Sequence, residues 1–116
     1  MSFFDELKAL GVDIDGGLKR LNGNEKLYTR LFGTFAKTLK ANAVDVDFDS
    51  ADLTPVIEKA HAIKGTAGNM SITPLYESYS EILALLRTEK PEEARQKLKE
   101  ILPVQEDILR CIEKHM

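Results

Sequence analysis

Residues 56–70 read VIEKAHAIKGTAGNM, and this stretch carries the clearest structural signal in the chain. Its apolar residues recur in steps of four and three, which is the spacing of one buried face of an α-helix. The residues of this face are Val56, Ala60, Ile63, Ala67 and Met70. The pattern therefore predicts a core helix with His61, Gly65 and Gly68 on its solvent side. Lys64 lies on the border between the two faces.

The two glycines of this predicted helix need an explanation. A glycine inside a helix costs about 1 kcal/mol relative to alanine. Gly65 and Gly68 follow His61 by four and seven residues, so all three share one side of the helix. Small residues beside His61 would let a bulky partner reach its imidazole ring. We therefore interpret the glycines as a means of access to His61.

The rest of the chain also has a helical pattern, and no stretch alternates as a strand would. The first predicted helix covers 3–10, and a short second helix, capped by Asp15, follows a turn at 12–17. A long helix capped by Asn24 comes next, and another helix begins near 53–55. The last two are a helix with Thr73 as N-cap and Pro74 as its first residue, and a helix over 91–114 that is kinked at Pro103. The apolar face of the helix after Asn24 is Leu27, Leu31, Phe35 and Leu39, with Tyr28 and Phe32 beside them. That of the helix after Thr73 is Leu75, Tyr79, Ile82, Leu83 and Leu86.

This pattern defines a fold class. Four helices of fifteen to twenty-odd residues with short connections predict an all-α, up-down-up-down four-helix bundle. The short N-terminal segments would cover one end of it. With 116 residues, the chain is expected to form one domain over 1–116.

Composition excludes several classes of function. A net charge of −3 without a basic stripe argues against nucleic-acid binding. The single cysteine, Cys111, allows no intrachain disulfide, indicates a reducing compartment and is expected to serve packing. The first residues lack the pattern of a signal peptide, and no apolar run reaches the roughly 18 residues of a membrane span. We expect a cytoplasmic protein that binds no membrane.

Metal binding and hydrolase chemistry have little support in the sequence. His61 has no second His or Cys three or four residues away, whereas zinc needs three or four convergent ligands. His115 is penultimate and expected to be frayed. The four aspartates of 44–52 lack the Gly and Glu of a calcium loop, so this segment is expected to be a solvated acidic loop. A Ser-His-Asp site would need a strand-turn element that is missing. No bound metal is therefore expected.

His61 remains as a nucleophile in its own right. Neutral imidazole is a competent nucleophile near pH 7, because its ordinary pKa is about 6.5. Attack on phosphorus needs an exposed ring nitrogen, a cation near the phosphoryl oxygens and space for the donor. Lys64, one turn along, can supply the cation. Gly65 and Gly68 leave the space.

The stretch from Ala60 to Asn69 resembles the signature of histidine-containing phosphotransfer (HPt) domains of two-component phosphorelays. The family pattern is a His, a Lys three residues later, a Gly directly after it and then small residues. Residues 17–24, followed by a long amphipathic helix, are similar to the family's first segment. The number of helices, the Thr73-Pro74 break and the chain length also match, so the resemblance covers nearly the whole chain.

This resemblance implies a four-helix bundle in which His61 is phosphorylated. Lys64 would stabilise the phosphoryl group, and Gly65 and Gly68 would be the small neighbours that permit docking. The partner would be a receiver domain of a response regulator or hybrid histidine kinase, which supplies the aspartyl phosphate, the Mg²⁺ and most catalytic groups. The protein would be a monomeric carrier and substrate rather than an enzyme, with no cofactor of its own.

Two positions depart from the family pattern. Family members often place a Gly ten residues after the His, where this chain has Ser71. Many also place a polar residue on the following helix near the His; by counting, that position is near Leu83, for which Ser80 or Glu81 are possible substitutes. The candidates for a docking patch of exposed apolar residues near the site are Ile14, Leu18 and Ile57.

Two other interpretations stay open. The chain could be the phosphoacceptor domain of a chemotaxis-type histidine kinase, phosphorylated directly by an ATP-binding domain. A longer parent chain would favour that interpretation, whereas a native start at Met1 favours a free-standing carrier. Alternatively, it could be a helical module that only binds a partner and is never phosphorylated. Lys64 and Gly65 beside His61 argue against a degenerate site of that kind.

Overall fold

The computed structural model describes residues 2–116, which form six α-helices and no strand. The helices are α1 (Phe3–Ala9), α2 (Ile14–Arg20), α3 (Glu25–Ala41), α4 (Thr54–Asn69), α5 (Thr73–Arg87) and α6 (Pro91–Lys114). Helix α5 packs along both α4 and α6, and α3 contacts the same two helices. The prediction of an all-α protein with bundled helices is confirmed. None of the helices in this range is both long and apolar enough to cross a membrane.

The predicted apolar faces of α4 and α5 form the centre of the core. All five residues predicted for each face are buried. On α3 the predicted apolar face is also buried, except that Leu27 and Leu31 lie at its edge and are only half-buried. Its buried members are Tyr28, Phe32, Phe35 and Leu39. Burial of this continuous apolar surface is the main stabilising contribution to the fold.

Two helix starts differ from the prediction. Residues 12–17 are not all turn, because α2 begins at Ile14 and Asp13 rather than Asp15 is its N-cap. The Asp13 carboxylate accepts the Gly16 N–H at 3.0 Å, three residues on, which is the usual reach of a capping side chain. At α5, Thr73 is the first helical residue, and no side chain caps this helix. The predicted cap of α3 is confirmed, since Asn24 accepts the Leu27 N–H at 3.0 Å.

Four helices end in the same left-handed turn. The residue after the C-cap has a positive φ at Gly11 (94°), Asn22 (54°), Ser71 (59°) and Glu89 (58°). In each case the next N–H bonds to the carbonyl five residues back, at 2.8–3.0 Å. This conformation costs most residues other than glycine about 1–2 kcal/mol. A glycine at position 71 would therefore relieve the backbone.

The C-terminal end of α4 is tied to the N-terminal part of the chain. Three donors from α2, its N-cap and α3 bond to backbone carbonyls there. They are Arg20 Nη1 to Gly68 O (2.7 Å), Tyr28 Oη to Met70 O (2.6 Å) and the Asp13 N–H to Ser71 O (2.9 Å). Burial raises the pKa of Tyr28 to about 12, so its hydroxyl keeps the donated proton at neutral pH. We call the carbonyls of Gly68, Met70 and Ser71 the fastened end of α4.

The acidic connection between α3 and α4 is held against α6. Several of its aspartates accept backbone N–H groups of the same loop, such as Asp45 from Asp47 at 2.8 Å. Arg95 of α6 donates to the Val46 carbonyl and to Ser50 Oγ (2.7 Å), and its guanidinium lies 4.2 Å from the centre of the Phe48 ring. Arg95 therefore anchors the loop to α6.

Candidate functional site

His61 lies in the middle of α4, on the side opposite its buried face. The face is buried because Ala60 and Ile63 point into the core, and one residue further along the helix turns His61 outwards. The His61 side chain is exposed, and no residue of the described range 2–116 forms a hydrogen bond or an ion pair with its ring. The ring nitrogens are therefore available to a molecule arriving from solvent.

Lys64 lies one turn along α4 and is half-buried. Its Nζ is 5.9 Å from the centre of the Tyr76 ring, within the range of a cation–π contact. None of the carboxylates among residues 2–116 pairs with Lys64. The positive charge next to His61 is therefore uncompensated by a neighbouring acid, which suits it to an incoming anion.

The two glycines that follow His61 differ in their surroundings. A Cβ added at Gly65 would meet no atom within 4 Å, so the space beside the histidine is open there. A Cβ added at Gly68 would lie 3.0 Å from Cδ2 of Tyr76. Unlike the space beside Gly65, the space beside Gly68 is already filled by the Tyr76 ring, and a role for Gly68 in docking stays a prediction. The Tyr76 ring packs directly against Gly68.

Tyr76 is the part of this site that sequence reasoning missed. It lies on α5 next to the buried Leu75, yet 43% of it remains exposed. Its ring contacts Gly68 and faces Lys64, so it joins α5 to the His61 surface. The available signal was its position: an aromatic residue outside the apolar face of its own helix is a candidate for recognition.

The residues predicted for a docking patch lie in different environments. Ile14 is buried, with 2% exposure, because the N-terminus of α2 turns it into the core, so the prediction that it is exposed is wrong. Leu18 and Ile57 are half-buried and pack against the core with part of their surface accessible. Leu18 and Ile57 therefore remain candidates for a contact surface, and Ile14 does not.

Among the described residues, none of the three α5 positions considered for orienting the His61 ring, Ser80, Glu81 and Leu83, contacts that ring through a hydrogen bond or an ion pair. Leu83 is buried in the core with 1% exposure, as its apolar character requires. The Ser80 hydroxyl donates to the Tyr76 carbonyl at 2.7 Å, and Glu81 pairs with Lys97 of α6 at 2.6 Å. Both side chains thus have partners of their own.

A groove borders the His61 surface on the side of the fastened end. It has a volume of about 400 Å³, and its walls include Gly65, Gly68, Tyr76 and Arg20. Arg20 reaches it from α2 through its bond to the Gly68 carbonyl. The open space beside Gly65 therefore continues into a depression large enough for protein side chains.

His115, the second histidine, has partners within the protein, in contrast to His61. His115 Nε2 lies 2.6 Å from Glu6 Oε2, and its ring centre is 4.9 Å from that of Phe3. The expectation that His115 is frayed is wrong, because α1 packs against the end of α6 and holds it. Cys111 is buried in the same region, as expected, and burial raises the pKa of its thiol. The thiol is thus a poor nucleophile at neutral pH.

Comparisons of the chain with protein-family models, with curated proteins and with solved structures found no significant match. Its function must therefore be argued from the site. The fold and site define a helical protein that presents one unpartnered histidine, with a lysine one turn away and open space beside it. Such an arrangement can accept a group on a ring nitrogen, provided that the donor brings its own activating groups.

Proposed function

We propose that this protein is a histidine phosphotransfer carrier of a two-component phosphorelay, with His61 as the phosphorylated residue. The observation that carries the proposal is the exposed, unpartnered His61 ring beside the open space at Gly65. A buried or hydrogen-bonded histidine would need to rearrange before it could reach phosphorus in another protein. His61 needs no such rearrangement.

The proposed reaction exchanges one bond to phosphorus for another. An unprotonated ring nitrogen of His61 attacks the phosphorus of an aspartyl phosphate in the receiver domain. The nitrogen–phosphorus bond forms as the bond to the aspartyl oxygen breaks, which returns the carboxylate. Lys64 neutralises charge on the phosphoryl oxygens, and the receiver supplies Mg²⁺. The protein then passes the group to a second receiver aspartate by the reverse reaction.

Tyr76 has two roles in the proposed site. Its ring lies 5.9 Å from Lys64 Nζ, so it restrains the lysine that would neutralise the phosphoryl group. Its exposed ring also offers apolar surface next to a histidine that a receiver must approach closely. Leu18 and Ile57, which retain accessible apolar surface, would extend the contact.

The topology belongs to the same proposal. We propose that α3, α4, α5 and α6 form an up-down-up-down four-helix bundle, as in HPt domains. Only residues 70–72 connect α4 to α5, and only residues 88–90 connect α5 to α6. Such short connections favour antiparallel neighbours. The bundle would be a rigid support from which α4 presents His61.

Two phosphate donors test the proposal. Phosphoramidate, a small donor that phosphorylates histidine without a protein partner, should add one acid-labile, base-stable phosphoryl group, measured by intact mass. A phosphorylated receiver domain with Mg²⁺ should add the same group. His61→Gln should abolish both reactions while helicity is unchanged. The matched control is His115→Gln, which should label normally, because His115 is engaged with Glu6 and Phe3.

The outcomes separate the competing interpretations. Normal labelling of His61→Gln would refute the proposal. Labelling only by a kinase catalytic domain with ATP would favour the phosphoacceptor domain of a chemotaxis-type kinase. Receiver binding without any labelling would favour a module that only binds its partner.

A further inference from the structure

Three side chains of different chemistry meet where α1 lies against the end of α6. Cys111 and His115 are four residues apart, so they share one side of the helix end. Helix α1 brings Glu6 to them. Its Oε2 atom lies 3.6 Å from Cys111 Sγ and 2.6 Å from His115 Nε2. The three donor atoms all lie within 4.8 Å of one another.

We propose that Glu6, Cys111 and His115 bind a zinc ion. Thiolate, imidazole and carboxylate are the groups by which proteins bind zinc, and a thiolate with an imidazole disfavours calcium and magnesium. Zinc–ligand bonds of about 2.1–2.3 Å place neighbouring ligand atoms of a tetrahedral site about 3.4–3.6 Å apart. The Sγ–Oε2 distance of 3.6 Å already has this value. The Nε2–Oε2 distance must widen by about 0.8 Å, which a rotation of the His115 side chain can supply.

The surroundings hold two of these ligands in position. Lys114 Nζ lies 2.7 Å from Glu6 Oε1, so this oxygen is occupied and Oε2 is directed at the thiol and the imidazole. Phe3 packs against the His115 ring with 4.9 Å between ring centres. Contacts of this kind orient metal ligands in known sites and contribute to metal affinity. The lysine and the phenylalanine therefore act as positioning residues for the proposed ion.

An open position is available for a fourth ligand. A cavity of about 430 Å³ lies beside Glu6 and Cys111, and it would admit water or an exogenous ligand to the ion. On binding, the Cys111 thiol loses its proton to solvent, and zinc takes its place between sulfur and carboxylate. The ion would fasten two parts of the chain that are 109 residues apart in sequence. This proposal is independent of phosphorylation at His61.

The test is a cobalt and zinc titration of the full chain. Co²⁺ should produce the near-ultraviolet band of a thiolate–cobalt bond, which can come only from Cys111 because the chain has one cysteine. Zinc should displace the cobalt. Zinc at about 100 times its dissociation constant should raise the melting temperature by roughly 5–10 °C. Cys111→Ser should lose the band, and His115→Ala and Glu6→Gln should each weaken cobalt binding about tenfold or more.

Two controls make the result specific. His61→Gln removes the only other histidine and should leave the band and the zinc-dependent rise in melting temperature unchanged. Asp107 lines the same cavity but pairs with Arg110 at 3.1 Å, so Asp107→Asn should bind cobalt as the wild type does. The proposal is overturned if no charge-transfer band appears, if the band survives Cys111→Ser, or if His115→Ala binds cobalt normally. His115 lies at the end of α6, outside the buried core, so His115→Ala also tests the site if Cys111→Ser fails to fold.

Discussion

Two parts of α4, one turn apart, have opposite surroundings. Around His61 and Gly65 the helix faces open space, and the histidine ring has no partner in the described chain. At the fastened end, the carbonyls of Gly68, Met70 and Ser71 each accept a hydrogen bond from outside the helix. Gly68 itself is covered by Tyr76. One end of the helix is bonded to its neighbours, and its middle is left free for a partner.

The difference shows how an exposed reactive residue can be held in place without contacts of its own. A hydrogen bond to the imidazole would occupy a nitrogen that the proposed phosphotransfer requires. The position of His61 is fixed instead through the backbone of α4, which is anchored by the buried face and by the fastened end. We expect substitutions at the fastened end to change stability, and substitutions at the open face to change transfer to a partner. Four predictions test this division.

The largest expected effect is at Gly17, which supports the fastened end. A Cβ added there would lie 2.1 Å from Tyr28 Oη and 2.3 Å from its Cζ, so the buried ring must move. That movement also breaks the bond from Tyr28 to the Met70 carbonyl. We expect Gly17→Ala to lower the free energy of unfolding by about 3 kcal/mol, measured by urea denaturation.

A double-mutant cycle identifies the cause. Tyr28→Phe removes the atom that lies closest to the added methyl group, so the cost of Gly17→Ala should be smaller in that background. Because Cζ at 2.3 Å remains in phenylalanine, part of the cost should persist, and equal costs in both backgrounds would show that the Tyr28 hydroxyl and its bond to Met70 contribute nothing to the loss.

The next effect concerns docking at the open face. Gly65→Gln places a long side chain beside His61, at a position where an added Cβ meets no atom within 4 Å. We expect phosphoryl transfer from a receiver domain to slow about tenfold or more, which is roughly 1.4 kcal/mol in the barrier. Labelling by the small donor phosphoramidate should stay within about twofold of the wild type, since the His61 ring remains exposed.

The matched control is the same substitution on another helix. Gly33 of α3 also has room for a side chain, because an added Cβ would meet only Met116 Sδ at 3.5 Å. Gly33→Gln should transfer at the wild-type rate. If both variants slow transfer equally, the open space beside Gly65 has no special role in docking.

A smaller gain in stability is expected at Ser71. This residue has a φ of 59°, and its hydroxyl is buried without a partner among residues 2–116. Ser71→Gly removes the backbone strain and the unpaired hydroxyl, so the free energy of unfolding should rise by about 1 kcal/mol. The comparison is Glu89→Gly, at an exposed position with a φ of 58°. A smaller gain there measures the contribution of the hydroxyl, and a loss of stability at Ser71 would contradict the explanation.

The smallest expected effect is a difference in stability between alanine substitutions at Gly65 and at Gly68. Gly65→Ala should raise the free energy of unfolding by roughly 0.5–1 kcal/mol, because alanine is the better helix former and its methyl group meets nothing. At Gly68 the same methyl group would approach Tyr76 to 3.0 Å, so the gain should be cancelled. Thermal or urea denaturation of both variants measures this. An equal gain at both positions would mean that the Tyr76 ring does not rest on Gly68.

Much of the fold could be predicted because helical periodicity is a local property. The buried face of α4, from Val56 to Met70, follows from spacing alone, and the opposite position of His61 follows with it. The ends of the helices were harder to predict. Asp13 and Asp15 are equally suitable capping residues, and the backbone geometry at the start of α2 decides between them.

The surroundings of each functional residue could not be predicted in the same way. Gly65 and Gly68 look equivalent in the sequence, and Tyr76 makes them different by approaching from α5. Ile14 is as apolar as Ile57, but only its place at the start of α2 buries it. Contacts between helices depend on how whole surfaces pack together, which periodicity within one helix does not specify.

By itself, the sequence determined that this protein is helical, which side of α4 is buried, and that a histidine, a lysine and a glycine share the border and the exposed side of that helix. These properties depend on residues three and four positions apart. Only the tertiary structure decided which glycine stays open, which carbonyls are fastened, and that Glu6 meets Cys111 and His115. The physical reason is that these contacts join separate helices. The residues that bond to the fastened end or gather around Glu6 are 42 to 109 positions apart, and they meet only when the core has brought their helices together.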